Sequence, residues 1–243
     1  MKIASLVLFT CLFVACAKTD SGNIANQEEI YTTYKANYTE AKNSSLIEIS
    51  ANFNLAGPTG TYIELSGGSM VMVDDTPMTK EINEINQVTY KFVLHNPTLQ
   101  DLGRIYHVKY VNNNRVMFDN QVTFTMPIEL SMPDGRVESS LKNPLEIRWD
   151  SRERLEHESI FASISNLDER TSISAETRQS EATGNQGVFI FNPESLQEVK
   201  AGKILVSACR EHEVENPKIP FSGGSLTISS CSQKFEHKLI AGP

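Results

Sequence analysis

Leu46-Ile47-Glu48-Ile49-Ser50-Ala51-Asn52-Phe53-Asn54-Leu55 is the stretch that decides the fold. Ile47, Ile49, Ala51, Phe53 and Leu55 alternate with Glu48, Ser50, Asn52 and Asn54. Successive side chains of a strand point to opposite faces, so this period of two marks a strand with one buried and one wet face. The residues that follow, Gly57-Pro58-Thr59-Gly60, have turn composition.

The same grammar repeats downstream. Tyr62-Ile63-Glu64-Leu65 is a strand, and Gly67-Gly68 turns into Met70-Val71-Met72-Val73. Asp74-Asp75-Thr76-Pro77 is a loop. Val88, Tyr90, Phe92 and Leu94 alternate again, and Asn96-Pro97 stops them. Residues 104–111 and 115–126 flank Asn112-Asn113-Asn114, a hairpin turn, because Asn tolerates positive φ. That makes about seven strands at sandwich spacing. Pro127 opens a second unit. Ile128, Leu130 and Met132 alternate up to Pro133-Asp134-Gly135, then Leu145, Ile147 and Trp149, then Ile160, Ala162 and Ile164. Residues 168–187 read as a long polar connection, Val188-Phe189-Ile190-Phe191 as a strand, and Asn192-Pro193-Glu194-Ser195-Leu196 as one helical turn capped by Asn192. Residues 203–210 and 225–235 form a final hairpin, and 238–243 a frayed end.

The two units end alike: Gly103-Arg104-Ile105-Tyr106-His107-Val108 and Gly202-Lys203-Ile204-Leu205-Val206 each place Gly before the penultimate strand. Tyr106 in that setting resembles the tyrosine corner of immunoglobulin-like domains. With Pro144–Trp149, this resembles the immunoglobulin/fibronectin-like modules of bacterial envelope lipoproteins over residues 46–235. No cysteine precedes Trp149, so the Cys…Trp…Cys signature of true immunoglobulin domains is missing. The expected architecture is all-β: two tandem β-sandwich domains, 46–127 and 128–243.

Upstream, residues 16–45 are polar and read as a linker. As a flexible coil, 17–45 has an r.m.s. reach of roughly 30 Å. Tyr31, Tyr34, Tyr38 and Ala41 fall at helical spacing, so a short docked helix is the alternative.

Before the linker, Lys2 is followed by an apolar run from Ile3 to Ala15. A spanning helix needs roughly 20 residues. This shorter run fits a secretory signal peptide over 1–15, with the small residue Ala15 at the cut. Phe13-Val14-Ala15-Cys16 resembles the lipobox of bacterial lipoproteins, although Phe13 stands where Leu is usual. The resemblance implies lipidation of Cys16 and attachment to the bacterial cell envelope. Ala17, rather than Asp, after the cysteine implies the outer membrane. Cys11 is a rival with a poorer residue, Thr10, at the cut, and an ordinary signal peptide cleaved near Ala15 or Ala17 is the other alternative. Two or more acyl chains hold a protein durably where one does not.

Loss of Lys2 with the signal takes the formal net charge from −8 to −9. With no basic patch, nucleic acid is excluded as an expected partner, and anionic lipid gains no attraction. Of the four cysteines, Cys11 leaves with the signal and Cys16 takes the lipid. Cys209 and Cys231 remain, in a compartment that permits disulfides. Both are out of phase with their apolar neighbours (Ile204, Val206 and Ala208; Leu226 and Ile228). They are therefore expected on one outer face of adjacent strands, bridged to each other.

Motifs for catalysis are absent: there is no G-x-S-x-G, H-E-x-x-H, P-loop or G-x-G-x-x-G. Glu211-His212-Glu213-Val214-Glu215 holds metal-ligating residue types. Neighbours on a strand diverge, so a solvated hairpin loop is expected rather than a metal site. Residues 150–158, with Arg152 and Arg154 among acids, read as a salt-bridged surface loop. Asp74-Asp75 lacks D-x-D-x-D spacing for calcium. Tyr106 with Tyr110, and Tyr90 with Phe92, share strand faces; packing outranks a glycan platform. The expectation is a lipid-anchored, non-enzymatic binding or spacer module without cofactor or metal, for an envelope protein or glycan partner. The alternatives are a metal-dependent hydrolase using the acidic loops and a subunit or inhibitor in a surface assembly.

Overall fold

The structure is a computed structural model. It describes residues 18–41, 44–133, 135–153, 157–166, 172–173, 185–232 and 235–241. The expected signal peptide (1–15), Cys16, Arg154 and most of the expected 168–187 connection lie outside the described residues.

The fold is all-β with two hydrophobic cores. The first contains β1 (Lys18–Asp20), β2 (Ile30–Ala41), β3 (Ser44–Leu55), β4 (Thr61–Glu64), β5 (Met70–Val73), β6 (Thr76–Pro77), β7 (Thr79–Ile82), β8 (Val88–His95), β9 (Tyr106–Val111) and β10 (Met117–Val122). A short helix, α1 (Leu99–Gly103), was not among the expected elements, although Thr98-x-x-Asp101 carries its signature. It is fixed by a capping box in which Thr98 and Asp101 satisfy each other's backbone N–H groups. The rest of the chain supplies β11 (Glu129–Ser131), β12 (Glu138–Ser140), β13 (Leu145–Asp150), β14 (Ser159–Asn166), β15 (Ser172–Ile173), β16 (Gln186–Phe191), α2 (Pro193–Leu196), β17 (Gly202–Glu213), β18 (Gly224–Cys231) and β19 (Phe235–Ile240). Helix α2 starts at Pro193 as expected, but the Asn192 side chain makes no cap hydrogen bond.

One sheet runs through both units in the order β1-β4-β3-β2-β18-β17-β14-β15, with β7-β8 joined to β3 and β12-β19 joined to β17. Facing it are β10-β9-β5-β6 in the first unit and β11-β13-β16 in the second. Ile47, Ile49, Ala51 and Phe53 of β3 are buried, as the alternation requires, and pack with Tyr34, Tyr106 and Tyr110. The second core gathers Leu145, Ile147, Trp149, Phe189, Phe191, Ile204 and Val206.

Three expectations are overturned. First, residues 18–41 are no linker. β1 pairs in parallel with β4, and β2 pairs with β3 along all twelve of its residues. Ile30, Thr32, Tyr34, Ala36 and Tyr38 are the buried set, at period two. The tyrosines at helical spacing belong to a strand, and the roughly 30 Å stand-off disappears. Second, the division at 127/128 does not separate the units. β18 leaves the second unit to pair in parallel with β2, and its Leu226 and Ile228 lie in the first core. β17 serves both: its 202–206 half pairs with β19 and its 209–213 half with β18. Third, residues 238–240 are not frayed. They pair with β12 and with the start of β17.

The pairings give the molecule two ends. At the base lie Lys18, the 57–60 turn, the 112–115 turn and the 214–223 loop. Lys18 is level with Tyr62, which pairs with Asn54. Gly223 O accepts from Thr32 N at 3.2 Å, near the start of β2. At the apex, beyond the second core, lie the 132–137 and 141–144 loops, beside Gly202 and Ile240.

Candidate functional site

The junction between the units is built on β17. Its inward residues are Ile204, Val206, Ala208 and then Arg210, which is only 2 % exposed. Arg210 Nε and Nη2 donate to Glu158 Oε2 at 2.8 and 2.5 Å. Nη1 donates to Met126 O (3.2 Å) and Ser151 Oγ (3.0 Å), and Nη2 to Glu153 O (2.9 Å). One guanidinium therefore ties Met126, at the end of the first unit, to the loop between β13 and β14 of the second. The expected salt-bridged surface loop at 150–158 does supply an ion-pairing residue, Glu158, but its side chain is 1 % exposed and its partner lies on β17. The signal was available: Arg210 is in phase with the apolar residues of its strand, and a charge there must be paired to be buried.

On the opposite face of β17, Cys209 bonds to Cys231, its direct cross-strand partner, with Cα atoms 4.0 Å apart. Just past the bridge the neighbour of β17 changes from β18 to β19, and Ala208 N donates to Ser232 Oγ at 2.9 Å.

Glu211 to Glu213 are strand residues, not a hairpin loop. His212 faces Ile228 across the sheet. Burial lowers its pKa, with the nearby Glu158 acting in the opposite direction. Among the described residues no group of three or more His, Cys, Asp or Glu is arranged to hold a metal.

Asp74 and Asp75 are the two central residues of the β5–β6 hairpin. Their φ values of 46° and 65° are those of a type I′ turn, which Asp tolerates. Asp74 accepts from Arg104 Nη2 (2.9 Å) and His107 N (2.8 Å), and Asp75 from Lys109 Nζ (2.7 Å). Their carboxylates are thus committed to the turn and its neighbours. The tyrosines do not form a platform. Tyr90, Tyr106 and Tyr110 are buried, and Tyr90 Oη accepts from Leu65 N at 2.7 Å. Burial pushes the Tyr110 hydroxyl above its ordinary range. Among the described residues the Tyr106 hydroxyl has no backbone hydrogen bond of the tyrosine-corner kind. The Arg104 guanidinium sits over its ring instead, at 4.1 Å.

The apex carries a concavity that sequence reasoning missed. A cleft of about 260 Å³ is lined by Met132, Pro133, Arg136, Ser139, Asn143, Pro144 and Glu146. Its lining comes from one stretch, 132–146, in which the 132–137 and 141–144 loops, with β12 between them and the start of β13, come together. Beneath it, His237 is buried on β19 with Nε2 2.9 Å from Ser139 Oγ. Burial lowers the His237 pKa, while Glu138 acts to raise it. The cleft thus combines one guanidinium, one carboxylate, a hydroxyl and an amide with an apolar rim. That is the chemistry of polar recognition, with no nucleophile–base pair in it.

No protein-family model and no curated protein matches the chain. Solved structures with partial likeness include DIP-gamma IG1+IG2, at 10 % identity and a TM-score of 0.22, over 86 % of this chain and 97 % of that one. Another is Dpr11 IG1 bound to DIP-gamma IG+IG2, at 11 % identity and a TM-score of 0.23, over 84 % and 98 %. These scores are too low to place the chain in a family.

Proposed function

We propose that this protein is a lipid-anchored binding module of the bacterial cell envelope, without catalytic activity of its own. Its base lies at the membrane and its apex cleft faces a protein or glycan partner. The observation that supports it best is the placement of the cleft. It sits at the end of the molecule opposite Lys18, and Lys18 is two residues from Cys16 in sequence. The paired Arg210 and Glu158, the disulfide and the shared strand β17 join the units firmly, so the apex is held at a fixed distance from the base. Loops on such a scaffold carry recognition in many folds. Outer-membrane attachment through lipid at Cys16 is part of this reading, and it rests on the lipobox-like residues before the cysteine.

The test has two parts. Mass spectrometry of the protein from its native envelope should find an acylated Cys16 as the first residue, and Cys16→Ser should release the protein to the soluble fraction. A photo-crosslinking residue at Arg136 should then capture one stoichiometric protein or glycan, and Glu146→Arg should weaken that capture about tenfold, the effect of losing roughly 1.4 kcal/mol. Capture that is unchanged by Glu146→Arg, or none at all, would argue against the apex as the recognition surface.

A further inference from the structure

Residues 214–223 lead from β17 to β18 around the base, and backbone hydrogen bonds hold this loop in place. Asn120 on β10 clamps Lys218, donating from Nδ2 to its carbonyl (2.9 Å) and accepting from its N–H (2.7 Å). Glu28 accepts from Phe221 N at 2.9 Å through Oε2 and from Ser222 N at 2.9 Å through its carbonyl. Gly223 N closes a turn onto Pro220 O at 3.0 Å. Gly224 is required there, because a Cβ would lie 2.1 Å from Thr32 O.

The residue at the tip of this braced turn is Phe221, and it is 93 % exposed. Ordering a chain segment to display a bare aromatic ring gains nothing for the fold, since the ring is left in water. Val116 and Met117, beside the 112–115 turn, and Met70, level with Val111 at the foot of β5, are exposed at the same end.

The chain also enters at this end. Lys18 is the first described residue and is already in the sheet, where it and Lys80 pair with Glu64. Two residue steps separate it from Cys16, a reach of at most about 7 Å. A lipidated Cys16 would thus bring the base against the headgroups. Phe221 is carried by the start of β18, four strand positions from β1 in the order β1-β4-β3-β2-β18. At about 4.8 Å per strand that is roughly 19 Å across the base. Lys18, Arg115 and Lys218 are balanced there by Glu28, Glu29 and Glu215, so the contact is apolar rather than a match to anionic lipid.

We infer that the base is a bilayer-contact surface, in which Phe221 inserts at the membrane interface as a second point of attachment beside the lipid. This rests on the anchoring at Cys16 proposed above. Two points about 19 Å apart fix the tilt of the molecule as one tether does not. A phenyl ring is well suited to the task as a large apolar group, since Trp, Phe and Leu form the buried side of interfacial segments.

The experiment uses the chain from Cys16 to Pro243, coupled through the Cys16 thiol to a maleimide phospholipid in phosphatidylcholine vesicles. Cys209 and Cys231 are bonded to each other and do not compete. Phe221→Trp provides the reporter, and Trp149, buried in the second core, gives a constant background. Expected are a blue-shifted emission and quenching by brominated lipid for Phe221→Trp, with neither for Val137→Trp at the apex. Solvent-like emission from Phe221→Trp, or equal quenching of both reporters, would overturn the inference. The anchor reading is decided separately, by the mass of the native protein. The maleimide tether tests the base whether or not that mass shows acylation.

Discussion

Arg210 and Glu158 meet with Nη2 and Oε2 2.5 Å apart, both side chains sealed from solvent at the point where the two units join. A buried pair of this kind adds little net stability over a well-packed apolar replacement. Breaking it strands a charge, at a cost of roughly 3–5 kcal/mol. Glu158→Leu or Arg210→Met alone should therefore destabilise by that amount in denaturant unfolding. The double variant should recover most of the loss. If it is as unstable as the worse single variant, the pair does not act as a unit.

The Cys209–Cys231 bridge should contribute about 3 kcal/mol in the chain-entropy account of a loop of this size, with a sequence separation of 22. Cys209→Ser should lower the melting temperature under oxidising conditions and make it indifferent to reductant. Equal melting curves for the parent with and without reductant would count against the bridge.

His237 and His212 both have pKa values lowered by burial. Each is neutral in the fold, and the unfolded chain takes up the proton first as pH falls below the unperturbed value of 6.5. Stability is therefore full above that pH and declines as acid carries the solution toward the lower folded values. Melting temperatures measured from about pH 7.5 to about pH 5 should fall in the parent and fall less steeply in His237→Gln. A parallel slope in the two proteins would remove His237 from the account.

Gly187 lies opposite Trp149 in the β13–β16 pair, and the indole covers it: a Cβ there would stand 2.6 Å from Trp149 Nε1. Gly187→Ala must displace the ring. We expect a loss of about 1–3 kcal/mol, as for other overpacked cores, and a change in the emission of Trp149, the chain's one tryptophan. Unchanged emission would mean the ring has room to move aside.

The strands of residues 46–126 could be read because large apolar residues mark their inner faces at period two. β2 obeys the same rule with Ile30, Thr32, Tyr34, Ala36 and Tyr38. Thr and Ala carry so little hydrophobic weight that its tyrosines at helical spacing stood out instead. The disulfide was legible from phase, since Cys209 and Cys231 both break step with their neighbours. The destination of β18 was not: nothing local in Leu226-Thr227-Ile228 says which of two cores it fills, and the answer lies in its parallel pairing with a strand far away in sequence. The apex cleft was missed for a different reason: its residues all lie within 132–146, but their alternation of loop and short strand carries no periodic signal that marks a concavity.

That pairing has a consequence for how the chain reaches its native state. Ser229 donates to Asn37 across 192 residues, and Phe221 to Glu28 across 193. A ribosome delivers β2 early and β18 almost last. Until then the first core lacks Leu226 and Ile228, and one side of β2 has no neighbour. An open strand edge of this kind invites pairing with other chains. Pairing between the two ends of a chain also slows folding, because the long loop must close before the contact rewards it. The nascent protein therefore carries its greatest aggregation risk just before its final strands emerge, and any truncation before residue 224 makes that condition permanent.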